Sequence, residues 1–192
     1  MKYDLQQIRE RYDAGEQLKF IFFWGHHQTG PFIKPTCFSQ WYERGFSIDG
    51  LQYRCAEQWM MAEKARLFSD PETRQLILDA TTPRDMKALG RKVRNFDSEV
   101  WSKNAREIVT RGNIAKFSQN DDLKRYILGT GDKVLVEASP YDRIWGIGMS
   151  RDDAGVNNPH NWKGTNRLGF CLMEARDRIK EGNLYRIKEG NF

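Results

Sequence analysis

Hydrophobic and polar positions follow two regimes along the chain. Residues Met1 to Leu18 are mostly polar and read as a helical or frayed start. Phe20-Ile21-Phe22-Phe23-Trp24 is then a short apolar, β-prone run closed by Gly25, which predicts a strand. Gly30, Pro31 and Pro35 make His26 to Pro35 a loop, and Asp49-Gly50 within Phe46 to Tyr53 gives the turn signal of a hairpin. From Ala56 the spacing turns helical. Ala56 to Phe68 reads as one helix, and Asp70-Pro71-Glu72 supplies a cap and a first-turn proline for a second that runs through Asp79. Thr82-Pro83 opens another, ending near Gly90. Trp101, Ala105, Ile108, Ile114 or Ala115 and Phe117 recur at helical spacing over Val100 to Ser118, and Asp121 to Leu128 is a short helix stopped by Gly129.

Val134-Leu135-Val136 reads as a buried strand, Tyr141 to His160 as a long Gly/Asp/Asn-rich loop, and Asn166 to Lys180 as the last helix. Loops of that length inside a compact domain usually carry function. The tail holds Arg178 to Asn183 and a second, similar unit at Arg186 to Asn191. Two copies of so short a unit build no solenoid, so residues 181–192 are expected to be a C-terminal extension of a single domain over 1–180. The elements together predict an α+β fold, predominantly helical, with a small β-sheet and no regular βαβ alternation.

Composition narrows this picture. The 192 residues include six Trp and eleven Phe, too many large rings for a disordered chain. No apolar window is long enough to span a membrane and the first ten residues are polar and charged, so a cytoplasmic protein without membrane contact is expected. Cys37, Cys55 and Cys171 are odd in number and far apart, which fits reduced packing residues. A net charge of +5 favours an anionic partner, although acidic residues are interspersed throughout. His26 and His27 are neighbours with only His160 as a possible third ligand, so no metal and no cofactor are expected. Walker, dinucleotide-binding, nucleophile-elbow and paired Cys-x-x-Cys motifs are absent.

Three clusters are candidates for chemistry. Glu57, Met61, Lys64 and Phe68 share one helical face, which sets two ionisable groups in an apolar stripe. Spacing alone favours a plainer reading, in which Lys64 lays its stem on the core and keeps its ammonium in water. Glu137 to Gly148 is an acidic and aromatic loop after a buried strand, where Glu137, Asp142, Trp145 and Gly146 could meet a planar base or form an ordinary turn. Trp162 to Gly169 leads into the last helix. Its N-terminus with Lys163 and Arg167 suits a phosphate, or Thr165 or Asn166 simply caps it.

Several segments, in this order, resemble the NADAR or YbiA-like family. They are Phe23-Trp24-Gly25-His26, Cys37 to Tyr42, Phe46 to Gly50, Ala56 to Met61 with Lys64-Ala65, Gly90-Arg91, Trp101, Lys116-Phe117, Glu137, Asp142 with Trp145 to Gly148, and Gly164 to Gly169. The similarity spans about residues 20 to 180. It implies a YbiA-like fold and an N-glycosidase acting at the anomeric carbon of a phosphate-bearing ribose, with the lysine that matches Lys64 forming a Schiff base. A neutral amine and a proton-moving carboxylate are what such a step needs, and either Glu57 or Asp142 could supply the second. A two-carboxylate mechanism is the competitor. The substrates implied are ADP-ribose on guanine in DNA or RNA, or phosphorylated riboflavin intermediates; an inert ADP-ribose-binding module is a third reading. The net charge tilts toward the first. Trp24, Gly25, His26, Trp101, Glu137, Trp145, Gly146 and Asn166 would then contact the substrate, and Arg91, Lys163 and Arg167 its pyrophosphate.

Overall fold

The computed structural model describes residues 2–182, so the Arg186 to Asn191 repeat unit lies outside the described residues. The order is α1 (Leu5–Asp13), β1 (Phe20–Phe23), β2 (Phe46–Ile48), β3 (Leu51–Tyr53), α2 (Ala56–Leu67), α3 (Pro71–Asp79), α4 (Pro83–Gly90), α5 (Ser98–Ser118), α6 (Asp121–Gly129), β4 (Val134–Glu137) and α7 (Arg167–Lys180). Short 3₁₀ turns sit at Pro35–Phe38 and Pro159–Asn161. The predicted mixture of helices and a small sheet is what forms.

Caps explain the helix starts. Asp4, Asp70 and Thr82 accept from the backbone N–H groups of Gln7, Thr73 and Asp85, which satisfies donors that a first turn leaves unpaired. Asp97 does the same for Glu99 and Val100, so α5 begins at Ser98, two residues before the position its apolar spacing suggests. Asp49 and Gly50, at φ 52 and 78, turn the β2–β3 hairpin. β1 pairs in parallel with β4, Phe20 opposite Val134 and Phe23 opposite Glu137. The strand stops at Phe23, and Trp24 is 58% exposed beyond it.

Helix α2 is the spine of the core. Ala56 to Glu63 and Ala65 are all buried, so the expected single apolar stripe is replaced by burial on every side. Its neighbours approach closely. A Cβ on Gly112 of α5 would lie 2.2 Å from Trp59 Cδ1, while the Trp59 indole donates to Ile108 O at 2.7 Å. α7 lies as tightly on β4, because a Cβ on Gly169 would lie 2.0 Å from Leu135 O. The three cysteines are buried and free, with burial pushing their thiols up to about 12 for Cys37 and about 11 for Cys55 and Cys171. No described helix is long and apolar enough to cross a membrane.

Candidate functional site

The first turn of α2, the end of β4 and α4 bring their charged side chains into one electrostatic cluster. Glu57 enters it from α2, where its backbone N–H donates to Gln40 O at 2.9 Å and Trp41 hydrogen-bonds its side chain. The residue is only 5% exposed. Burial pushes its carboxyl up to about 7, against the pull of Lys87, the Trp41 hydrogen bond and Arg91, with Asp142 adding to the rise. Such a group can give and take a proton near neutrality.

Glu137 ends β4. Its backbone N–H donates to Asn166 Oδ1 at 3.0 Å, and its Oε2 is buried without a hydrogen-bond partner. Burial first, then the charges of Asp142 and Glu57, push this carboxyl up to about 8, while Lys87 opposes them. A buried, unsatisfied oxygen is costly in a finished fold and points to a role with a bound ligand. Asp142 belongs to the same electrostatic cluster but serves the loop. Its Oδ1 accepts from Ile144 and Trp145 N–H at 2.8 and 2.7 Å, forming the turn that carries Trp145.

Lys64 stands two turns along α2 from Glu57, about 10 Å at the usual helical rise. It is half-buried, donates to Gly90 O at 2.8 Å, and lies 4.1 Å from the Phe96 ring centroid and 5.8 Å from that of Trp101. Burial lowers its pKa, and among the described residues it makes no ion pair. The end of α4 links the two positions. Gly90 presses on Met61, where a Cβ would lie 2.0 Å from Sδ, and Arg91, the next residue, acts on Glu57. The carboxyl groups and the amine therefore sit two turns apart along α2, rather than touching.

The remaining expected residues divide. His26 packs against Trp41, ring centroids 5.4 Å apart, and burial lowers its pKa. Trp24 meets Tyr141 at 6.2 Å. Gly25, at φ 77, turns the chain out of β1, and Gly146 has no room for a side chain because a Cβ would lie 2.9 Å from Glu137 O. Asn166 is fully buried at φ 52, its Oδ1 and Nδ2 are committed to Glu137 N and Leu135 O, and it holds β4 in place. At the α7 N-terminus Arg167 and Leu168 donate their backbone N–H groups to Ile144 O and Trp145 O, which leaves the Lys163 and Arg167 side chains as the groups a phosphate would meet. Lys163 is exposed and Arg167 partly so, both beside the 143–148 loop.

Sequence reasoning missed Lys87 as a site residue. Its Nζ lies 5.7 Å from the Trp41 ring, and it is the cation that acts on both Glu57 and Glu137. The signal was its spacing of three and four from Gly90 and Arg91, which puts it on their side of α4. Lys116 is one of the residues that resemble the family. It is fully buried, donates to Cys37 O and Ser39 O at 2.8 and 2.9 Å, and so fixes the segment that presents Trp41; burial lowers its amine to about 8. No described cluster of three or more His, Cys, Asp or Glu side chains could hold a metal. A hollow of about 460 Å³ beside α1 contains none of these site residues.

The chain is a helix-rich α+β domain in which burial raises the Glu57 and Glu137 carboxyl groups and lowers the Lys64 amine. The NADAR domain profile matches residues 22–180, and the chain belongs to that family. It is 46% identical over 171 residues to a protein named N-glycosidase from Acanthamoeba polyphaga mimivirus, covering 85% of this chain and 98% of that one. A Nostoc punctiforme protein named N-glycosidase is 31% identical over 144 residues, 75% of this chain and 85% of its own. The solution structure of Escherichia coli YbiA has the same fold, with a TM-score of 0.67 at 24% identity over 91% of this chain and 92% of that one.

Proposed function

We propose that this chain is an N-glycosidase, a hydrolase that releases ADP-ribose from guanine in nucleic acid. The names of its relatives support the N-glycosidic bond. The observation that carries the mechanism is the arrangement along α2, with carboxyl groups that burial raises toward neutral pH at its first turn and a desolvated amine two turns on. The groove in this reading is the space between them, and a ribose bound there meets both once the Lys64 side chain swings from Gly90 O toward Glu57.

Lys64 attacks C1 of the ribose as the neutral amine, forming a C–N bond. The glycosidic bond breaks with its electron pair going to the guanine nitrogen, which takes a proton from Glu57. Glu57 is better suited to this than Asp142, whose Oδ1 is occupied by two backbone donors. The adduct opens to an imine, and water activated by the Glu57 carboxylate hydrolyses it and returns the amine. Arg91 and Lys87 meet the pyrophosphate, and Glu137 donates its carboxyl proton to a sugar hydroxyl. The net charge of +5 supports an anionic substrate.

Borohydride added during turnover tests this reading. A sugar adduct should appear on Lys64 by peptide mass spectrometry, and Lys64→Ala should abolish both adduct and cleavage. Continued hydrolysis with no adduct would establish the two-carboxylate route, and an adduct on Lys87 would move the nucleophile to α4. Parallel assays on ADP-ribosylated guanine and on phosphorylated riboflavin precursors decide the substrate.

A further inference from the structure

The loop after β4 carries a surface that the reaction at the groove does not use. Tyr141 is 86% exposed and Ile144 57%, and the Tyr141 ring lies 6.2 Å from that of Trp24 at a tilt of 52°, which leaves ring faces open. Two residues along, Arg143 is exposed beside Lys163: a Cβ on Gly148 would find Arg143 Cγ at 3.0 Å and Lys163 Cβ at 3.1 Å, so the two stems flank one point. Neither cation forms an ion pair among the described residues. The acids nearest in sequence are engaged elsewhere. Asp142 turns its Oδ1 into the loop backbone, Asp153 accepts from Ser150 N–H, and Asp152 pairs with Arg151.

Adjacent like charges repel, and open aromatic faces are costly in water. Both costs vanish against one kind of partner, a flexible polyanion whose planar bases are free to stack. We propose that Trp24, Tyr141, Arg143 and Lys163 form a docking rim for single-stranded nucleic acid, gripping nucleotides that flank the one whose base lies in the groove. A duplex fits poorly, because its bases are already stacked on one another. Tyr141 follows Glu137 by four residues, which keeps the rim beside the end of β4. The inference rests on the reading of the substrate as a base within a polymer.

The test uses the full chain and Tyr141→Ala and Arg143→Glu variants, with unmodified fluorescent 12-mers of dT and U in anisotropy titrations at several salt concentrations. Hydrolysis of the ADP-ribosyl-guanosine mononucleoside is measured in parallel. The native chain should bind at least one 12-mer. Tyr141→Ala should weaken binding about tenfold. Arg143→Glu should also weaken it and flatten the logarithmic salt slope by about one. Both variants should keep mononucleoside hydrolysis and melting temperature, and the two 12-mers show whether DNA or RNA is preferred. Absence of strand binding by the native chain, variants that bind normally, or equal capture of heparin untouched by Tyr141→Ala would each overturn the rim. Strand binding that persists when neither modified strand nor mononucleoside is cleaved would sink the proposed reaction and leave the rim standing.

Discussion

Replacing Glu57 by Gln should make the protein more stable and nearly inactive, with a gain that depends on pH. Gln keeps the size of the side chain and an oxygen for the Trp41 hydrogen bond, but it cannot ionise. The native carboxyl is raised from 4.5 to about 7 by burial. A carboxyl raised by folding stabilises the native state fully below its unfolded value, and that contribution is lost as pH rises through the folded value. The unfolded chain has by then released a proton that the folded chain still holds. A rise of two and a half units corresponds to about 3 kcal/mol at 1.36 kcal/mol per unit. At pH 5, just above the unfolded value, the variant should exceed the native chain by about 1 kcal/mol or less, and at pH 8 by roughly 3 kcal/mol, some 6–12 °C in melting temperature for a domain of this size. Activity should fall by a factor of about 10² to 10⁴, the usual contribution of a positioned acid or base. Urea titrations and thermal melts at pH 5, 6.5 and 8 give the comparison. A stability difference that stays flat across that range would show that Glu57 is not held protonated by burial, and the proton-transfer role would go with it.

Two further outcomes follow from the packing. Gly169→Ala places a methyl group 2.0 Å from Leu135 O and 2.5 Å from Asn166 Nδ2, both rigidly held, so α7 must move off β4. The expected loss is roughly 3 kcal/mol by denaturant titration, at the upper end for overpacking. Asn166→Ala leaves Glu137 N–H and Leu135 O unpaired and puts Ala at φ 52, for a loss of about 3 kcal/mol. Its turnover should drop more than its substrate affinity, because Glu137 is released; unchanged kcat in a folded variant would show that this anchor has no part in the chemistry.

Helices were legible where the chain writes its own boundaries, as at Asp70-Pro71 and Thr82-Pro83, since a capping side chain and a first-turn proline act within a few residues. The pairing of β1 with β4 was not, because no local pattern records which distant strand supplies the other edge. The same limit applied at the site. Spacing placed Glu57 and Lys64 on one helix, and an acidic, aromatic loop following a buried strand picked out Glu137 and Asp142. Only the folded chain shows that the carboxyl groups gather around Lys87 while Lys64 rests on Gly90. Asn166 looked like a ligand contact, but its left-handed backbone and two β4 hydrogen bonds make it an anchor.

The parallel pairing of β1 with β4 also sets when the machinery becomes complete. Strands from opposite halves of the chain must meet before Glu137 comes to face Glu57, and closing so long a loop is entropically slow compared with forming the helices between them. On the ribosome, α2 and its lysine emerge well ahead of the second strand. A nascent chain therefore carries half of its chemistry without the other half, and competence arrives only once β4 has been made and paired.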